Sequence, residues 1–178
     1  MSQNVTGIYM FQLVQYHGGD SRHLGLALGM GAGSEIIPML AFGLLLRRFD
    51  PSTLLRIASV ATLAKVTWAL FAPNLAWFLP HVLLQALSVA LVFPASVYYV
   101  DRLFPPQGRL RGQAWVTMAT ALGVVLASAI GGAVLDAGGP KVLMGMGAVA
   151  GILAVIATFM GTEKVGVSAE TAPEAASS

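Results

Sequence analysis

The chain's 178 residues are 56% hydrophobic and only 10% charged, with a mean hydropathy of +0.75, which excludes a soluble domain, where roughly 25% of residues would be charged. Ten Lys and Arg against eight Asp and Glu is too even a balance to point to nucleic acid as a partner. The absence of cysteine excludes disulfides, thiolate metal sites and cysteine nucleophiles.

The first apolar run, residues 5–16, is too short to cross a bilayer, since a spanning helix needs about 20 residues. It reads as the end of a spanning helix that begins outside the chain, so residues 1–17 are expected to form a truncated first helix. It is no secretory signal: it has no basic n-region and is followed by His17-Gly18-Gly19 rather than a small-residue cleavage site. Five full spans follow, at residues 24–46, 54–71, 77–100, 113–135 and 142–160. The links between helices carry turn residues: Gly18-Gly19-Asp20, Asp50-Pro51-Ser52, Pro73-Asn74, Pro105-Pro106-Gln107-Gly108 and Gly138-Gly139-Pro140. Such short links leave consecutive helices antiparallel and adjacent. The expected fold class is all-α, a polytopic membrane bundle over residues 1–161. Residues 162–178 are small, polar and aperiodic and read as a disordered cytoplasmic tail.

Charge sets the expected orientation. Arg47, Arg48 and Arg56 flank the second link, Arg102, Arg109 and Arg111 flank the fourth, and Lys164 is in the tail, whereas the opposite side holds only Arg22 and Lys141. By the positive-inside rule both termini are expected to be cytoplasmic, in a multi-pass protein of the cell (inner) membrane.

Two ionisable side chains stand alone inside apolar spans. Glu35 precedes the Asp50-Pro51 link, and Lys65 follows it, by about fifteen residues or roughly 22 Å of helix, so both are expected at one depth. A charge there costs roughly 2.5–3.5 kcal/mol on insertion scales and generally faces a partner or a water-filled path. Glu35 and Lys65 are therefore a candidate ion pair. It reads either as a structural pair that sets helix register or as part of a substrate or proton site, and intramembrane carboxylates lean to function. Lys65 could instead extend outward, being about seven residues from its nearer helix end.

Gln85 and Ser88 lie about eight and eleven residues into their span, which puts Gln85 at a depth comparable with Lys65. They read equally as neutral solute contacts or as interhelical hydrogen bonds. His81, one turn above Gln85, reads as an interfacial histidine rather than a proton carrier. Gln12, Gln15, Tyr16, Tyr98, Tyr99 and Asp101 are weaker cavity candidates, and Trp77 and Tyr99 also suit an interfacial belt.

Gly25, Gly29 and Gly33 recur every fourth residue, as do Ala119, Gly123, Ala127 and Gly131; each set forms a stripe on which another helix can pack closely. Pro38 and Pro94 free backbone carbonyls inside spans, at a hinge, a cavity wall or a plain kink. His17, Asp20 and His23 straddle Gly18-Gly19 and are not read as a metal site. Gly29-Met30-Gly31-Ala32-Gly33 and Gly145-Met146-Gly147 superficially resemble dinucleotide loops but follow no strand. No nucleophile–base–orienter grouping and no Walker sequence is present, which argues against an enzyme and against an ATP-driven motor. No cofactor and no metal are expected.

These segments resemble the C-terminal six-helix half of a major facilitator superfamily permease, on the branch containing lactose permease and the phenylpropionate and nucleoside permease-like proteins. The resemblance covers nearly all of residues 18–160. It rests on the run from His17 to Leu26, on Gly33-Ser34-Glu35-Ile36-Ile37-Pro38, and on Gly43 to Phe49 with Arg47-Arg48. It continues with Arg109-Leu110-Arg111-Gly112-Gln113-Ala114 and with Gly131-Gly132 through Asp136 to Gly138-Gly139. In that resemblance Glu35 matches the carboxylate that binds substrate in sugar-transporting members, and Lys65 stands where lactose permease has an arginine. Gln85 takes the place of a histidine, and Ser88 that of the acid carrying the coupled proton. Without a titratable group at Ser88, Glu35 or Asp101 would have to substitute in proton symport, or the protein is a uniporter or another kind of coupled carrier.

Such permeases hold solute between two six-helix halves at mid-membrane. The expected partners are therefore a small-molecule solute, membrane lipid and an N-terminal six-helix half, in the same reading frame, as a separate chain or as a second copy. The leading expectation is half of a secondary active transporter. It would move a small polar organic solute of the sugar, nucleoside or aromatic acid class by alternating access, with Glu35, Lys65, Gln85 and Ser88 at the solute. The alternative is a non-transporting membrane interaction protein or truncated gene product, in which Glu35–Lys65 is only a structural ion pair.

Overall fold

In the computed structural model, which describes residues 6–162, helices start and stop where the sequence supplies caps and turns. Helix α1 (Met10–Tyr16) ends at His17, whose Nδ1–H donates to the Leu13 carbonyl at 2.8 Å. Gly18 follows at φ 83°, a left-handed conformation that glycine adopts without steric cost. Asp20 then caps α2 (Ser21–Arg48), its carboxylate accepting from the backbone N–H groups of Arg22 and His23 in the manner of a capping box. These bonds, with that from His23 foremost, hold the Asp20 carboxyl below its ordinary value of 3.8. Helix α3 (Pro51–Phe71) opens with Pro51 in its first turn, where the missing N–H costs no intrahelical bond.

The next span departs from the continuous helix expected at residues 77–100. It consists of α4 (Leu75–Phe78), a 3₁₀ segment (Leu79–Leu84) and α5 (Gln85–Leu103). Pro80 stands in the first turn of the 3₁₀ segment, where an α turn would press its ring against the carbonyl four residues back. Two carbonyls near it are taken by side chains, that of Trp77 by the Trp68 indole N–H at 2.7 Å and that of Phe78 by His81 Nδ1–H. Pro38 and Pro94, by contrast, lie inside uninterrupted α-helix.

After a 3₁₀ turn (Pro106–Gly108) comes α6 (Arg109–Gly161), broken at Gly139 with φ 73° and ψ −178°. Its two legs, residues 109–138 and 140–161, are each long enough at 1.5 Å per residue to cross a ~30 Å hydrocarbon core. Four helical stretches are thus long and apolar enough to cross a membrane, Ser21–Arg48, Pro51–Phe71, Leu75–Leu103 and Arg109–Gly161. The break at Gly139 makes the last one a pair of spans, as the turn at Gly138-Gly139-Pro140 implied. The molecule is the all-α membrane bundle that its composition required, with no strand among the described residues. The predicted tail lies outside the described residues from position 163 onward.

Helix α3 is the central element, packed on both α5 and α6, while α2 packs on α5. Ala58, Ala69, Ala90 and Ala95 are fully buried at these contacts, and their small side chains let the helix backbones approach. One apolar cluster gathers Met10, Leu13, Val14, Ala27, Ala69, Phe78, Val82 and Met144. A second, toward the Asp50 end, gathers Phe42, Leu54, Ala58, Leu91 and Ala95. Outward-facing side chains are apolar too: Leu40 and Met160 are 82% exposed, a surface that suits lipid and not water.

The two small-residue stripes fare differently. Gly131 packs against Tyr9, whose hydroxyl donates to the Ser128 carbonyl at 2.6 Å; a Cβ on Gly131 would lie 2.7 Å from the Tyr9 ring. The seam expected at Gly25, Gly29 and Gly33 is not used within the described residues, for nothing lies within 4 Å of a Cβ built on any of them. Helix α2 instead buries Ala27, Gly31, Pro38 and Phe42. Gly31 is two residues on from Gly29, about 200° around the helix, so the packed face is nearly opposite the predicted one. At the far end, Arg56 of α3 donates to the hydroxyl and carbonyl of Thr162 and lies over the Phe159 ring, 5.3 Å from its centroid. A cation there complements the helix C-terminus.

Candidate functional site

Three polar side chains from three helices form one line between the two apolar clusters. Lys65 Nζ on α3 donates to Gln85 Oε1 on α5 at 2.8 Å, and Gln85 Nε2 donates to Glu35 Oε1 on α2 at 2.7 Å. The direct Glu35–Lys65 ion pair expected from depth is corrected accordingly: Gln85 stands between the charges. A carboxamide suits that place because it carries an acceptor and a donor side by side. The reverse orientation would set its oxygen against the carboxylate and its NH₂ against the ammonium. Gly31 of α2 packs against this amide, a Cβ built there lying at ordinary contact distance, 3.5 Å from Gln85 Nε2.

Lys65 is 3% exposed and belongs to the buried face of α3 with Ala61, Thr62, Val66 and Ala69. It does not extend to the interface. Glu35 is half-buried, and among the described residues only its Oε1 takes a hydrogen bond. Ser88 is fully buried one turn along α5, where its hydroxyl faces the Gln85 carbonyl at 3.5 Å; it is not joined to the Glu35–Gln85–Lys65 line. A carboxylate with a free oxygen, flanked by an amide and an ammonium, can hold a hydroxyl- or amine-bearing solute through charge-assisted hydrogen bonds.

His81, read as interfacial, lies inside the bundle. It is fully buried, with its ring 4.3 Å from that of Phe78, and Phe78 in turn stacks on His17 at 4.5 Å. His81 lies within the 3₁₀ segment, turned about 120° away from Gln85. Gln12, Gln15 and Tyr16 are exposed on α1 and its end. Tyr98 is largely exposed beside Phe42, ring centroids 5.8 Å apart, and Asp101 is half-buried near the end of α5. None of these joins the line.

One turn beyond Glu35, at Met39, begins an open groove of about 1120 Å³ between α2, α5 and the first leg of α6. Pro94 forms part of its wall, with Ser96, Gln113, Thr117 and Thr120 as polar lining. Gln113 Nε2 donates across to the Val97 carbonyl at 3.1 Å. Sequence reading missed the polar residues of α6, although Gln113, Thr117 and Thr120 recur at the spacing that places them on one helix face. A second cavity, of about 720 Å³, lies at the opposite end among His17, Asn74 and Lys141.

Comparison with curated proteins and with solved structures gives no significant match. The family model described as Major Facilitator Superfamily matches residues 1–177. With that match over an all-helical bundle of apolar spans, the chain belongs to the Major Facilitator Superfamily and is an integral membrane transporter protein.

Proposed function

We propose that the chain is half of a secondary active transporter for a small polar organic solute, of the sugar, nucleoside or aromatic acid class, working by alternating access. The observation that carries this reading is the Glu35–Gln85–Lys65 line, which joins three helices and leaves a half-buried carboxylate one turn from an open groove. Glu35 accepts hydrogen bonds from solute hydroxyls or amines. Gln85 and Lys65 orient it and add donors. The branch containing lactose permease is the one whose motifs this sequence most resembles. A complementary six-helix half closes over the groove, and arginine-rich links face the cytoplasm, both termini with them, in the cell (inner) membrane.

Burial of Lys65 favours a rival reading, in which the polar line only sets helix register. The test is uptake of a labelled disaccharide, a nucleoside and an aromatic carboxylic acid by membranes carrying the assembled transporter. Glu35→Gln is expected to insert normally and to abolish uptake of whichever solute the unmodified protein accepts. Unchanged uptake in that variant removes Glu35 from the solute site.

A further inference from the structure

The junction where the proline-broken span passes from 3₁₀ to α leaves one nitrogen without a partner. His81 is fully buried; its Nδ1–H donates to the Phe78 carbonyl, so Nε2 is a bare acceptor, and among the described residues no hydrogen bond reaches it. A buried polar atom left unpaired is costly and is rare outside functional or strained places.

Helix geometry connects this nitrogen to the site. In a 3₁₀ helix residues three apart eclipse one another, so Val82 lies above Gln85 and His81 is turned about 120° away from it. Val82 accordingly is buried in one apolar cluster with Ala27 of α2. Were residues 79–84 wound as α-helix, His81 would lie about 40° from Gln85 and one turn above it, displacing Val82 from that face. The present form is held by Pro80, whose ring an α turn would press against the carbonyl four residues back, and by the bonds from Trp68 and His81 to the carbonyls of Trp77 and Phe78. A 3₁₀ stretch within a long helix is a recurrent hinge.

We infer that His81 is a further solute-contacting residue, withheld while residues 79–84 are 3₁₀ and delivered beside Gln85 when that segment winds to α, where Nε2 accepts a hydrogen bond from a solute hydroxyl or amine. The contact rests on the reading of Glu35–Gln85–Lys65 as the solute site, whereas the rearrangement can be observed with no solute present.

The chain has no cysteine, so introduced cysteines report without background. In membranes carrying the full chain, Ala27→Cys with Val82→Cys reports the 3₁₀ form under copper–phenanthroline, and Ala27→Cys with His81→Cys reports the α form. The Val82 pair is expected to cross-link, and adding Pro80→Ala is expected to shift cross-linking several-fold toward the His81 pair. Independently of that variant, single His81→Cys is expected to react with N-ethylmaleimide about tenfold faster than single Ala69→Cys, its access coming only from the rearrangement. A His81 cysteine that neither cross-links nor reacts faster than one at Ala69 overturns the rearrangement.

For the contact itself, uptake of the labelled disaccharide, nucleoside and aromatic acid is compared between His81→Asn, which keeps an acceptor, and His81→Phe. The second is expected to lose about tenfold more kcat/KM than the first, equivalent to about 1.4 kcal/mol. If Glu35→Gln abolishes uptake while His81→Phe leaves it unchanged, the solute site stands and the contact from His81 falls.

Discussion

A carboxylate and an ammonium at the same membrane depth need not touch, and in this chain a neutral amide joins them. Gln85 accepts from Lys65 and donates to Glu35, so each charge gains a strong hydrogen bond without the two meeting. Hydrogen bonds to charged groups contribute about 1.5–3 kcal/mol each, so Gln85→Leu, which removes both, is expected to destabilise the bundle by about 3 kcal/mol. The check is thermal unfolding in detergent. Gly31→Leu is expected to displace the same amide by sterics, whereas Gly31→Ala, with its Cβ at ordinary contact distance of 3.5 Å, should leave the line intact. Glu35, Lys65 and Gln85 were all legible in the sequence as lone polar groups in apolar spans. Their arrangement was not, because counting residues from a turn fixes depth along a helix but leaves the direction around it to packing. Ser88 illustrates the limit: it lies one turn from Gln85, yet its hydroxyl faces its own helix backbone.

At the level of elements, glycine and proline decided most of what was readable. Gly139-Pro140 marked the break in α6, and Asp20 and Asp50-Pro51 marked helix starts. Pro80 was overlooked because the residues around it are apolar enough to pass as one span, and so the 3₁₀ segment and the burial of His81 were missed. Of the stripe on α6, Ala127 and Gly131 pack while Ala119 and Gly123 line the open groove, and the stripe at Gly25, Gly29 and Gly33 meets no neighbour among the described residues. Spacing defines a stripe but not which stripe a neighbour chooses; here the choice fell on Gly31, which packs against the Gln85 amide. Gly131→Ala puts a Cβ 2.7 Å from the Tyr9 ring and is expected to cost about 1–3 kcal/mol through overpacking. Combining it with Tyr9→Ala should recover part of the loss, measured as a double-mutant cycle on thermal stability.

For the whole molecule, composition alone excluded a soluble domain, and the order of turns and spans carried the resemblance that the family match bears out at the level of the superfamily. Solute class, coupling and orientation depend on side-chain chemistry at a few positions, and a hydropathy pattern says little about those. The central claim is that Glu35 and Lys65 serve a solute and do not merely hold helices together. The most direct measurement exchanges their charges, with Glu35→Lys and Lys65→Glu in one protein, and follows membrane insertion together with uptake of the labelled disaccharide, nucleoside and aromatic acid. Gln85 can turn its amide over and bridge the exchanged pair, so a structural line survives the exchange, whereas a solute site loses its acceptor on α2. The expected result is normal insertion with no uptake; uptake at the level of the unmodified protein contradicts the account.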